Sequence, residues 1–164
     1  MRGVAHNGAS LKGKRVLVIG SGGVGSAIAA STAAAGAAAL ALFDVNTKAA
    51  VMLADRLRKH YPDVVVFAGS NDPYGFDVVV NATPLGMNEG DPLPLDAARL
   101  DPAAFVGEVV LKKETTPFLA AAQARGCRTQ IGLDMLFEQI PAYLEYFGFP
   151  AATSDELRGL ARLD

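Results

Sequence analysis

Apolar runs of strand length alternate along this chain with amphipathic stretches of helix length. Arg15-Val16-Leu17-Val18-Ile19-Gly20 is a β-branched run closed by glycine, which predicts a strand buried on both faces. Val24 to Ala35 is rich in alanine, the best helix former, and Gly36 stops it. Ala39 to Asp44 predicts a second strand. Asn46 is placed to cap a helix running to about His60, and Pro62 forbids its continuation. Val64 to Phe67 predicts a third strand, and Phe76 to Asn81 a fourth that ends at a loop starting Ala82-Thr83-Pro84. Phe105 to Leu111 predicts the fifth, followed by a helix from Thr116 to Arg125. Arg128 to Ile131 predicts a sixth strand and Leu133 to Phe147 a long helix. Ser154, with Asp155 and Glu156 behind it, opens a short terminal helix.

This alternation is the pattern of an α/β domain with a parallel sheet. Six strands with crossovers predict a doubly wound, Rossmann-type sheet of order 3-2-1-4-5-6, in a single domain over 1–164. Only Ala68 to Gly75 join the third and fourth strands, too few for a crossover helix, so a loop or single turn is expected there. A chain of 164 residues, 51% apolar and 20% charged, is globular and removes about 70% of its unfolded surface from water. The net charge of −2 and the absence of any basic run longer than two residues argue against a nucleic-acid partner. The alanine-rich stretch from Ala27 to Leu42 is divided by Gly36 and falls short of a membrane span. The first eight residues lack a signal-peptide core, so a cytoplasmic location without membrane partners is expected. Cys127 is the only cysteine and has no metal-ligand spacing around it. It is expected to be a buried, inert thiol, and no metal site is expected.

Candidate chemistry begins at Gly20-Ser21-Gly22-Gly23-Val24-Gly25, which matches G-x-G-x-x-G between a predicted strand and a predicted helix. In this pattern Gly20 permits a tight turn, Gly22 lets a pyrophosphate approach the backbone, and Gly25 lets helix and strand pack closely. The unpaired amides at the helix start carry partial positive charge and attract an anion. Asp44 ends the second strand 24 residues after Gly20, where the dinucleotide fingerprint places a carboxylate for ribose hydroxyls. A 2′-phosphate there would meet that carboxylate, and Val45 and Asn46 bring no guanidinium to offset it. NAD is therefore expected over NADP. Lys48 is the one cation within reach, and a solvated helix-face lysine accounts for it.

With the glycine turn in place, Asn81-Ala82-Thr83-Pro84-Leu85-Gly86-Met87 resembles the N-A-T-x-x-G-M signature of the shikimate and quinate dehydrogenase family. Asp91-Pro92-Leu93-Pro94-Leu95-Asp96, Thr116-Pro117-Phe118-Leu119, the stretch from Gly132 to Gln139, and Lys12-Gly13-Lys14 before the first strand are similar to that family in order and spacing. The resemblance is to the family's carboxyl-terminal nucleotide-binding domain and covers nearly the whole chain. It implies an NAD(P)-dependent oxidoreductase of aromatic amino acid biosynthesis. Such an enzyme moves hydride between nicotinamide and a hydroxylated cyclohexane or cyclohexene carboxylate. It also implies that Asn81, Ala82, Thr83 and the loop through Leu85 to Met87 border the nicotinamide-side ribose. Gly132 would offer its carbonyl to the nicotinamide amide, with Met135 and Leu136 near the ring, and Gln139 would reach the hydroxyls of the acid. Met135 and Gln139 are four apart on one predicted helix, hence on one face.

Three departures from the family stand out. The family's amino-terminal substrate domain, with its catalytic lysine and aspartate, is absent from these 164 residues, so no catalytic residue is assigned here and the isolated chain is expected to be inactive. A family tyrosine that contacts a substrate hydroxyl corresponds to Leu111, and an arginine that reads NADP corresponds to Val45. The alternative to an enzyme half is a stand-alone nucleotide-binding module or partner subunit without catalysis. His6 and His60 lie in no catalytic pattern, and Lys112 and Lys113 are taken as surface charge. Asp134 and Glu138 are expected to serve solvation and helix-start electrostatics. Tyr143, Tyr146, Phe147 and Phe149 predict an exposed apolar patch at 143–149, and with it self-association.

Overall fold

The computed structural model describes residues 10–112 and 115–160 of the chain, so His6 and Lys113 lie outside the described residues. The strands are β1 (Arg15–Ile19), β2 (Ala39–Phe43), β3 (Val65–Ala68), β4 (Val78–Asn81), β5 (Phe105–Glu108) and β6 (Arg128–Gln130). The helices are α1 (Gly23–Ala34), α2 (Thr47–His60), α3 (Pro117–Ala124), α4 (Gly132–Tyr146) and α5 (Ser154–Leu160). The strands form one parallel sheet of order β3-β2-β1-β4-β5-β6, as the sequence pattern predicts.

Alternation along β1 explains the two layers of core. Val16 and Val18 point to one face, where they meet Ile28, Ala29 and Ala33 of α1 and Leu53, Ala54 and Leu57 of α2. Leu17 and Ile19 point to the other, against Phe118, Leu119 and Ala122 of α3. With both faces covered, the central strands read as nearly unbroken apolar runs. Helix α4 returns to the α1 side, where Met135 packs on the first cluster. Cys127 is buried in the second cluster, and its Sγ lies 3.3 Å from the Asp101 carbonyl oxygen.

Several expectations needed correction. The fifth strand stops at Glu108 rather than Leu111, because its neighbours run out: β4 pairs it only to Asn81, and β6 only as far as Gly107. The fourth starts at Val78, since Phe76 closes a turn through its N–H to the Pro73 carbonyl. A 3-10 turn at Ala97–Arg99, capped by the Asp96 carboxylate, was not foreseen. Asp134 and Glu138 are not merely solvated. Arg158 of α5 bonds both, at 3.3 and 2.9 Å, and so ties the terminal helix onto α4. The link from β3 to β4 is a loop, as expected. Tyr143, Tyr146, Phe147 and Phe149 are all exposed. Among the described residues no helix is long and apolar enough to cross a membrane.

The sheet core sets a direct test. Leu40 on β2 is fully buried and Met52 on α2 is largely exposed. Leu40→Ala should cost about 2–5 kcal/mol in urea unfolding, and Met52→Ala no more than about 0.5 kcal/mol.

Candidate functional site

The order β2-β1-β4 makes β1 the strand at which chain connections diverge to opposite sides, and the crest above its carboxyl end is where ligands of such sheets bind. Gly20 leaves β1 with φ +103°, and its N–H donates to the Phe43 carbonyl at 2.7 Å. A Cβ there would meet the Ala82 carbonyl oxygen at 2.7 Å, and one on Gly25 would overlap the Gly20 carbonyl. Both glycines are therefore required by packing. Gly22 and Gly23 are different: a Cβ on either meets nothing within 4 Å. Gly22 sits at φ −70° and ψ −169°, a conformation open to other residues, and caps α1 without a side chain. No acidic residue occupies the first turn of α1. The helix thus presents bare amides to open space, the arrangement that receives an anion. Beside them the Ser21 Oγ is buried without a hydrogen-bond partner.

Asp44 braces this turn. Its Oδ2 accepts from the Ser21 N–H at 2.6 Å and its Oδ1 from the Asn46 N–H at 2.8 Å. Each oxygen keeps lone-pair capacity for a further donor. Val45 is 94% exposed, and the Asn46 side chain is engaged as the cap of α2 through the Ala49 N–H.

The loop after β4 is held from within by Asn81. Asn81 is fully buried; its Nδ2 donates to the Leu85 carbonyl, and its Oδ1 accepts from both the N–H and the hydroxyl of Thr83. Its side chain shapes the loop. Ala82 and Thr83 abut the glycine turn, while Met87 is exposed. Asp91 fastens the far end by accepting from the Gly86 and Asn88 N–H groups. Those backbone donors hold its carboxyl below the usual range.

Glu108 was hidden from sequence reasoning by the overlong fifth strand, although one acid in the run Phe105 to Leu111 was a readable signal. It is 3% exposed. Its Oε2 accepts from the Thr116 hydroxyl at 2.8 Å, and that same oxygen of Thr116 caps α3 by accepting from the Leu119 N–H. Its Oε1 is buried without a well-formed partner. Burial pushes the carboxyl up to about 7, with weaker opposing pulls from Thr116 and Asn81.

At the start of α4, a Cβ on Gly132 would overlap the Val110 carbonyl, so this glycine is fixed by the close pass of the two segments. Met135 and Gln139 share a face, as their spacing requires, and line a cavity of about 280 Å³ with Gly23 and Val24 of α1. Leu136 is half-buried nearby on the same helix, outside that lining.

A parallel sheet whose first strand passes through an open glycine turn into an uncapped helix, with a carboxylate ending the second strand, defines a Rossmann-type nucleotide domain. More particularly, the chain resembles the carboxyl-terminal nucleotide-binding domain of the shikimate/quinate dehydrogenases. It is 36% identical over 147 residues to a shikimate dehydrogenase (NADP(+)) of Rhodospirillum rubrum, a match covering 87% of this chain and 52% of that protein. Among solved structures, quinate dehydrogenase from Corynebacterium glutamicum in complex with NAD superposes with a TM-score of 0.84 at 29% identity, over 97% of this chain and 60% of the other. A 5-ketofructose reductase of Gluconobacter does so with a TM-score of 0.83 at 27% identity, over 98% and 62%. No protein-family model matches the chain. The chain spans about half the length of the curated relatives it matches.

The raised carboxyl of Glu108 makes stability depend on pH. Folding favours its protonated form, so its contribution is full below the ordinary 4.5 and is lost as pH rises through about 7. The melting temperature of wild type, relative to Glu108→Gln, should fall across that window and level off above it. A constant difference between the two melting curves from pH 4 to 8 would remove this assignment.

Proposed function

We propose that this chain holds a dinucleotide across the crest of its sheet, NAD(H) in preference to NADP(H). It would do so as the nucleotide-binding half of a shikimate/quinate dehydrogenase-like oxidoreductase. The observation that carries the reading is the contrast within one turn. Gly20 and Gly25 are demanded by the fold, whereas the space in front of Gly22 and Gly23 is left clear. A bare backbone that packing does not require is what a pyrophosphate needs. The buried, unpaired Ser21 hydroxyl adds a donor at the same place.

Asp44 receives the adenosine ribose hydroxyls on the lone pairs its two backbone donors leave free. Hydrogen bonds to such a charged acceptor contribute roughly 1.5–3 kcal/mol each. A 2′-phosphate at ~4 Å from the carboxylate would instead be repelled by about 1–4 kcal/mol. The curated relatives carry NADP(+) in their names; the preference for NAD rests on this chain's own Asp44 and Val45. Toward the nicotinamide end, Asn81, Ala82, Thr83, Leu85 and Met87 border the ribose. Gly132, Met135 and Leu136 lie along the ring, and Gln139 faces a shikimate- or quinate-like acid. When bound, the dinucleotide would supply the hydride chemistry, and these residues would hold it beside the carbinol carbon. The alcohol proton goes to an acid–base group outside these residues, in the substrate domain that the resemblance implies.

Calorimetric titration tests the reading on the chain itself. Gly22→Val should keep its melting temperature and lose NAD affinity by at least about tenfold, whereas Gly25→Val should fail to fold stably. Asp44→Ala should weaken NAD by roughly 10- to 100-fold and narrow its advantage over NADP. A Gly22→Val protein that binds NAD like wild type would overturn the pyrophosphate site, and unchanged NAD affinity in Asp44→Ala would remove the ribose role.

A further inference from the structure

Helices α1 and α2 leave a groove of about 460 Å³ between them, which shares no lining residue with the cavity between α1 and α4. From α1 only Ser26 and Ala30 line it, four apart and short, so room remains between the two helices. Leu53 and Leu57, buried and one turn apart on α2, form its floor, and the half-buried Tyr61 just past that helix adds an aromatic side. Arg56 and His60, again one turn apart, lie along the rim and are exposed. Among the described residues neither side chain makes an ion pair or a hydrogen bond. No acidic residue lines the groove, and Asp55, beside Arg56 in the chain, is held by Arg58 at 2.7 Å. The dipole of α2 accounts for the cations of its last turn, Arg58, Lys59 and His60, but Arg56 stands before that turn. The groove therefore joins an apolar floor to a guanidinium that no carboxylate of the fold engages.

We propose that this groove binds a small amphiphilic anion, an apolar ring or short chain ending in a carboxylate. The planar fork of Arg56 takes the two carboxylate oxygens, and an N–H of His60 donates beside it. The apolar body lies against Ala30, Leu57 and Tyr61. An exposed ion pair by itself contributes little, so the apolar body is what distinguishes the ligand from a simple inorganic anion. The proposal does not require the dinucleotide reading.

Phenylacetate, phenylacetamide and inorganic phosphate serve as probes in NMR titrations of the 164-residue chain. Phenylacetate should shift the Ala30 and Leu57 methyls and the Arg56 Nε–H saturably. The neutral amide and inorganic phosphate at the same concentrations should not. Arg56→Gln alters only an exposed side chain, so it should keep the melting temperature and weaken phenylacetate about tenfold or more. Ala30→Leu, which fills the groove from the α1 side, should block it. Equal binding of phenylacetamide or phosphate, undiminished binding to Arg56→Gln, or no saturable phenylacetate shift overturns the proposal. So do shifts confined to Met135 and Gln139, which would place the probe in the other cavity. NAD titrated against the same samples reports on the glycine turn separately, so either idea can fail while the other holds.

Discussion

The constraint on which the rest of this structure depends is the close pass of backbone against backbone where β1 gives way to α1. Gly25 lies against the Gly20 carbonyl, and Gly20 against the Ala82 carbonyl, at separations that exclude any side chain. This contact sets the angle at which the helix leaves the sheet and brings the loop after β4 alongside the turn. Asp44 then locks the arrangement from the β2 side by accepting the Ser21 N–H. Three consecutive crest segments are fixed together in this way, and the amides of α1 remain uncovered in their midst.

A second close pass repeats the device. Gly132 lies against the Val110 carbonyl, which places the start of α4 over the end of β5. Between the two passes, Asn81 and Glu108 spend buried polar groups on shaping loops: Asn81 on Thr83 and Leu85, Glu108 on the Thr116 cap of α3. Polar residues at strand ends thus do the positioning, and the surfaces left for a ligand are mainly backbone and small side chains. Such a crest binds through preset geometry, with little side-chain ordering to oppose it.

Much of this was legible in the residues themselves. Unbroken apolar runs marked the buried parallel strands, and their count and spacing specified the order of the sheet. The glycine spacing located the turn, and the position of Asp44 followed from it. What escaped had physical causes. Apolar residues continue past Glu108, so hydrophobicity alone could not reveal where strand partners end and an acid becomes buried at the crest. The hydrogen bonds by which Asn81 holds the loop after β4 depend on the loop's folded path, which no local pattern specifies. The tie from Arg158 to Asp134 and Glu138 joins residues 24 and 20 positions apart, and no local pattern announces it.

The central claim is that the exposed amides at the start of α1 receive the phosphates of a dinucleotide. Backbone amide NMR during titration with NADH measures this most directly. The account predicts that the largest shifts fall on Ser21 through Gly25 and saturate with the affinity found by calorimetry. Resonances of that turn left unmoved while NADH saturates the protein elsewhere would contradict it.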